Sequence, residues 1–259
     1  MKRFSTLPAA ALLALAGTVC ANEPAERPAA AALLEACREG LPFNETEATL
    51  SGRLVVFRTR GFPTQENKFV LHINWGAEPA VATCSLYDAK GQNLLERVEM
   101  TRPRMGDAVI KRFAGNPLRE QEPPSLSSRI AGTDLLWLDL TMDFLWWPDP
   151  VYDDNPKTDR TWRGYACDVI MVAPPKPIPG CSGVRIWIEK KTGFLVRVEK
   201  LDLSGKPVRY FWVQKVKEFS KDEWMIRLVK AEAAGSRVQT HLLVDALNDE
   251  EFEDKAEDD

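Results

Sequence analysis

Between Tyr165 and Ala246 the chain alternates apolar and polar residues in six short runs joined by only a few residues each, and no other feature restricts the fold as much. The runs are Tyr165 to Val172, Val184 to Glu189, Leu195 to Leu201, Val208 to Val216, Glu223 to Val229 and Val238 to Ala246. Lys191-Thr192-Gly193 and Leu203-Ser204-Gly205-Lys206 are representative joints. A period of two sends alternate side chains to opposite faces of a strand. Parallel neighbours need a crossover of a dozen or more residues, so strands joined this tightly form an antiparallel meander. Without strand–helix alternation, Rossmann and TIM architectures are excluded.

The N-terminal half repeats the pattern behind one helix. Ala29 to Glu39 reads as helical: Pro28 suits a first turn, alanines and leucines fill the body, and Gly40 is placed to close it in a left-handed conformation. From Thr46 the period becomes two. Leu54 and Val56 alternate with Arg53 and Val55, and Phe69, Leu71, Ile73 and Trp75 alternate with Val70, His72 and Asn74. Turn signals stand at Gly61-Phe62-Pro63 and Asp88-Ala89-Lys90-Gly91. Gly115 to Ser128, rich in Pro, Ser and charge, is a long connection.

It leads to a stretch, Thr133 to Trp147, whose apolar residues cover nearly the whole circumference of a helix. Thr133 or Asp134 can cap it and Pro148 stops it. A helix this apolar all round, expected from Asp134 to Leu145, must be covered on more than one side.

Lys2 and Arg3 followed by the apolar run Leu7 to Val19 form a cleavable secretory signal over residues 1–21, with Val19-Cys20-Ala21 as the processing site and Asn22 as the new N-terminus. The run is too short to span a bilayer. The alternative, acylation of Cys20, would follow Gly17-Thr18-Val19 rather than a Leu-Ala-Gly-like tripeptide. Cleavage removes Lys2 and Arg3 and takes the net charge from −4 to about −6, part of it gathered in an acidic tail over residues 249–259. Nucleic acid is excluded as a partner, because its recognition rests on clustered Lys and Arg. Cys37, Cys84, Cys167 and Cys181 remain; an even number in an exported chain favours disulfides over metal ligation, and no pair has metal-ligand spacing. Three pairings are open. Cys167–Cys181 with Cys37–Cys84 is preferred, because the first two flank the hairpin loop Pro174 to Gly180.

The run Val184-Arg185-Ile186-Trp187-Ile188-Glu189-Lys190-Lys191-Thr192-Gly193, with Arg197-Val198-Glu199 and Asp202-Leu203-Ser204-Gly205-Lys206 after it, resembles the outer-membrane lipoprotein-sorting protein family, relatives of the periplasmic carrier LolA. Ile130-Ala131-Gly132-Thr133-Asp134-Leu135, Asp139-Leu140 and the closing strand Thr240 to Asp245 are similar to that family too. The resemblance spans residues 40–250 and is specific from Ile130 on. It implies an α+β fold: a curved, unclosed antiparallel half-barrel of ten or eleven strands with helices over its concave apolar face, forming one domain over 22–248. It implies a cavity that holds acyl chains while lipoproteins or lipids cross the periplasm, between an inner-membrane donor and an outer-membrane acceptor. Trp137-Leu138 stand where the family commonly has Tyr-Glu, which makes this lid more apolar. Arg53 and Arg58 are candidates for the arginine that such carriers use inside the cavity.

Other chemistry finds less support. His72 and His241 are isolated within strand patterns, without a nucleophile motif beside them. Asp149, Asp153, Asp154 and Asp159 share a loop, but the ordered spacing of a calcium loop is missing. The expected function is therefore non-enzymatic and cofactor-free carriage of a lipid or lipoprotein acyl chain. Leu54, Val56, Phe69, Leu71 and Ile73 would form the wall, and Leu136, Leu140, Phe144, Trp146 and Trp147 the lid. A carbohydrate- or peptidoglycan-binding module is the alternative, since Trp75, Trp162, Trp187, Trp212 and Trp224 could stack sugar rings. A structural adaptor with no small ligand is a third, and it predicts a filled core.

Overall fold

A computed structural model describes residues 27–40, 47–58, 61–103, 108–220 and 223–252. The expected leader, with Cys20 and Asn22, lies outside the described residues, as does the acidic tail from residue 253 on.

After helix α1 (Ala30–Glu39), five strands follow one another: β1 (Ala48–Arg58), β2 (Pro63–Asn74), β3 (Ala80–Tyr87), β4 (Leu94–Arg102) and β5 (Val109–Ala114). The short β6 (Arg119–Gln121) ends this wing, and the lid helix α2 (Trp137–Thr141) comes next. Two-residue strands β7 (Val151–Tyr152) and β8 (Thr161–Trp162) precede β9 (Tyr165–Val172), β10 (Gly183–Glu189), β11 (Leu195–Leu201), β12 (Pro207–Ser220), β13 (Glu223–Ala233), β14 (Val238–Leu247) and β15 (Glu250–Glu251). All pairings are antiparallel, in the order β6-β5-β4-β3-β2-β1-β14-β13-β12-β11-β10-β9-β7, with β15 beside β14 and β8 beside β9. The ends of that path, β6 and β7, do not pair with each other, so the sheet is unclosed. The closing step is β1 against β14, which joins the two wings. The half-barrel expected from the sequence is thus present; the strands beyond ten or eleven are pieces of two or three residues.

The sheet curves through its irregularities. Register shifts interrupt β1/β14 at Ser51/Gly52 and β12/β13 at three places, and each extra residue bends its strand and adds twist. The concave side holds the main core, which takes Leu54, Phe69 and Ile73 from one wing, Ile186, Ile188 and Met225 from the other, and Leu135 to Leu138 with Phe144, Leu145 and Trp147 from the lid. Full burial of a side chain such as Phe144 contributes about 2–3 kcal/mol. A smaller cluster of Cys167, Val169 and Trp187 lies apart from it, on the other side of β9 and β10.

Two local expectations are corrected. Gly40 has φ −80°, so α1 ends without a left-handed residue; its N–H still reaches the carbonyl of Ala36 at 2.9 Å. The four cysteines among the described residues are free and buried, so neither expected disulfide forms. Cys167 pairs in register with Glu189, whereas Cys181 lies beyond the opposite end of that hairpin and packs into the main core. A disulfide needs Cα atoms within about 7 Å, and these two differ in both position and face. Cys37 sits against the backbone of Leu195 on β11, while Cys84 stands on β3 between Leu71 and Val98. Burial pushes the Cys37 thiol up to about 11 and the Cys84 thiol up to about 12, which leaves both inert as nucleophiles.

An apolar cavity under a pinned lid

The lid begins where the chain enters the concave side. Ala131 (φ 47°) and Gly132 (φ 72°) turn the backbone within the 3-10 turn Ile130–Gly132, and the Asp134 N–H donates to Thr240 Oγ1 at 2.8 Å. Thr240 is fully buried on β14, so this bond fixes the lid to the sheet at the junction of the wings. Neither Thr133 nor Asp134 caps the helix that follows. Asp139, in its first turn, does so by accepting the Leu136 N–H at 2.7 Å.

The expected continuous helix from Asp134 to Leu145 is broken. α2 stops at Thr141 because Met142 takes a left-handed conformation (φ 47°), and a separate 3-10 turn, Asp143–Trp146, follows before Pro148. The break turns two successive aspartates toward two different arginines. Arg209 on β12 donates both terminal nitrogens to the Asp139 carboxylate and its Nε to the Asp134 carbonyl. Arg102, at the end of β4, pairs with Asp143, whose other oxygen accepts Trp147 Nε1–H at 2.9 Å. Arg102 also lies over the Trp146 ring at 4.4 Å. Burial pushes the Asp139 carboxyl upward, against the opposing pull of Arg209 and the Leu136 N–H.

Arg53 and Arg58 are not these arginines. Arg53 is part exposed and bonds Asp245 at 2.7 Å, and Arg58 is exposed at the end of β1. Arg102 and Arg209 were missed because no motif marks either one. Their one sequence signal was position on a strand face that is otherwise buried.

Between lid and sheet lies a cavity of about 130 Å3. Fifteen of its sixteen lining residues are apolar, and the remaining one is Asp139. Phe69, Leu71 and Ile73 of the expected wall line it, as does Leu140 of the expected lid. Trp75, Met142, Phe211, Met225, Ile226 and Leu242 line it as well and were not singled out for it. Leu54 and Val56 are buried away from the cavity, Val56 in register with Thr240. Leu136, Phe144 and Trp147 are core residues of the lid. Trp146 is half-buried and packs on Trp75 with ring centroids 6.1 Å apart. A larger depression of about 450 Å3, lined by Glu47, Thr49, His72, Asn74 and Asn248, is open and mixed in polarity; His72 Nδ1 and Thr49 Oγ1 share a bond of 2.8 Å there.

Elsewhere the candidate groups serve the fold. Asp153 accepts the Asn155 N–H at 3.0 Å and the Thr158 hydroxyl at 2.7 Å and pairs with Arg185, so its loop is held by its own carboxylate. Trp187 and Trp212 are 4 % and 7 % exposed, and Arg197 lies over Trp162 at 4.2 Å and Trp187 at 5.0 Å. Those rings offer no open face to a sugar; Trp224 is the more exposed, at 43 %.

No protein-family model matches the chain, and no curated protein matches it in sequence. Solved structures do match in shape. A DUF1329 family protein from Desulfovibrio piger superposes with a TM-score of 0.67 at 13 % identity, over 84 % of this chain and 90 % of its own. A structure described as an outer membrane lipoprotein-sorting protein domain from Vibrio parahaemolyticus gives 0.69 at 10 % identity, over 87 % and 94 %. A LolA superfamily protein from Nitrosomonas europaea gives 0.57 at 12 % identity, over 88 % and 97 %. At such identities the likeness is one of fold, and it spans the unclosed antiparallel sheet of this chain.

Proposed function

We propose that the protein is a non-enzymatic carrier working outside the cytoplasm, which holds a lipid or the acyl chain of a lipoprotein beneath its lid. The observation that carries this reading is the cavity: an almost wholly apolar lining partly covered by a broken lid that two arginine–aspartate pairs hold in place. Leu135, Leu140 and Met142 of the lid form part of this lining, so on this reading a long acyl chain is taken up by displacing the lid. Burying each methylene contributes about 0.8 kcal/mol, so a bound acyl chain offsets part of the loss of the lid's contacts. The fold shared with a structure described as a lipoprotein-sorting domain supports the same reading. The leader-like residues 1–21 support a periplasmic site of action, with a membrane donor and acceptor as partners. Transfer without a nucleotide would then follow differences in affinity between these partners.

Native mass spectrometry of the protein purified from the periplasm, with organic extraction of what it holds, tests the reading. Bound lipid or acylated peptide is the expected result. In vitro, Leu140→Asp should lower uptake of a fluorescent fatty acid at least tenfold, and Trp146→Asp should act in the same direction. An empty protein that also takes up no probe ends the proposal.

A further inference from the structure

Phe62 and Leu203 are the most exposed large apolar side chains among the described residues, at 73 % and 78 %. Both stand on tight turns, where polar residues are the rule. Phe62 follows Gly61 in the β1–β2 turn, closed by Gly61 N–H to Arg58 O at 3.1 Å; Leu203 follows Asp202 in the β11–β12 turn, closed by Gly205 N–H to Asp202 O at 2.9 Å. The antiparallel order puts these two turns, with the β3–β4, β9–β10 and β13–β14 turns, at one end of the half-barrel. The lid break and the cavity residues Trp75 and Met225 belong to the other end, where β2 finishes and β13 starts.

The same five turns carry exposed Arg58, Lys90, Lys176, Lys206 and Arg237. Among the described residues of these turns the carboxylates are Asp88 and Asp202, two against five cations; Asp88 accepts the Gln92 N–H at 2.8 Å, and Asp202 accepts the Ser204 N–H at 2.8 Å. A chain of net charge −4 therefore presents a basic end tipped with two apolar side chains.

We propose that this end docks on an anionic membrane surface, with Phe62 and Leu203 entering the boundary between headgroups and acyl chains and Arg58, Lys90 and Lys206 meeting lipid phosphates. The two side chains stand four strand spacings apart, roughly 20 Å at ~4.8 Å per strand, too far for one pocket but suited to a flat, fluid surface. Apolar insertion and attraction to anionic lipid reinforce each other at such surfaces. The inference does not depend on cargo in the cavity.

The test is co-sedimentation of the mature chain with vesicles of phosphatidylethanolamine and phosphatidylglycerol, against vesicles of phosphatidylcholine. Binding to the anionic vesicles at low salt is expected, about tenfold weaker on phosphatidylcholine and weakened by salt. F62S/L203S should lose about tenfold on the anionic vesicles and K90E/K206E a similar amount. V109S/V151S, which removes comparably exposed side chains (55 % and 56 %) from the strands near the sheet's two edges, should bind as the unaltered protein does. No binding to anionic vesicles, or binding by F62S/L203S at the unaltered level, overturns the proposal. Fatty-acid uptake by F62S/L203S reports separately on the carrier reading and should stay unchanged.

Discussion

Arg209 and Asp139 form a buried, two-pronged ion pair between the sheet and the lid, and Arg209 reaches past it to the Asp134 carbonyl. One side chain thus holds both the start of the lid and its capping aspartate. The arrangement makes the lid a separately held part of the core, because its apolar contacts and its ion pairs must be given up together.

Removing one partner leaves the other charged and buried. Arg209→Met is expected to cost about 3–5 kcal/mol, the range for breaking a buried pair, and to lower the melting temperature by about 10 °C. The double variant D139L/R209M should recover most of that loss, since no unpaired charge remains. Thermal unfolding of the three proteins side by side checks this; a double variant no better than R209M would show that Asp139 is needed as the helix cap rather than as a counter-ion.

His241 sets a pH dependence. It lies half-buried on β14, in register with Lys230, with its ring 4.4 Å from Phe57 and Nε2 bonded to Gln239 Oε1 at 2.8 Å. Burial, with Lys230 nearby, pushes the imidazole down to about 4. An unfolded chain takes up this proton below about 6.5 and the folded chain only near 4. Between those values the unfolded state binds more protons, so stability falls as pH drops. Urea unfolding at pH 7.5 and pH 5 should show a smaller loss for His241→Gln than for the unaltered protein; equal losses would place the titration elsewhere.

The cysteines give a chemical readout of the packing. With the four described thiols buried and unbridged, a thiol reagent should react slowly with a native chain prepared from Asn22 on and count four thiols once it is unfolded. Reductant should leave the melting temperature unchanged. A count of two or none would restore the disulfides.

Strand positions were legible because a period of two and short joints leave an antiparallel meander few alternatives; Tyr165–Val172 and Leu195–Leu201 fall where the alternation puts them. That Phe69, Leu71 and Ile73 share one strand face was legible for the same reason. The lid was legible in composition and not in shape, since a left-handed Met142 has no sequence signal of the kind glycine gives. The cysteines misled because compartment suggests that bridges are allowed, while only the fold sets which thiols meet. Arg102 and Arg209 were invisible because their partners lie 41 and 70 residues away in the chain.

Gly52 links the seam between the wings to the cavity. It occupies the register shift where β1 meets β14, and a Cβ there would overlap the Leu243 carbonyl oxygen and stand 2.9 Å from Phe69 Cζ. The first obstacle is backbone in a paired strand and cannot swing aside; the second is a ring that lines the cavity. Gly52→Ala should therefore lower stability by at least about 1–3 kcal/mol, as overpacking does, and alter fatty-acid uptake by moving Phe69. Gly193→Ala meets no atom within 4 Å but has φ 74°, so it should cost only about 1 kcal/mol and leave uptake unchanged. Denaturant midpoints and probe titrations of the two variants separate the cases: equal stability losses, or unchanged uptake in Gly52→Ala, would mean that the seam yields and that Phe69 is not set by it.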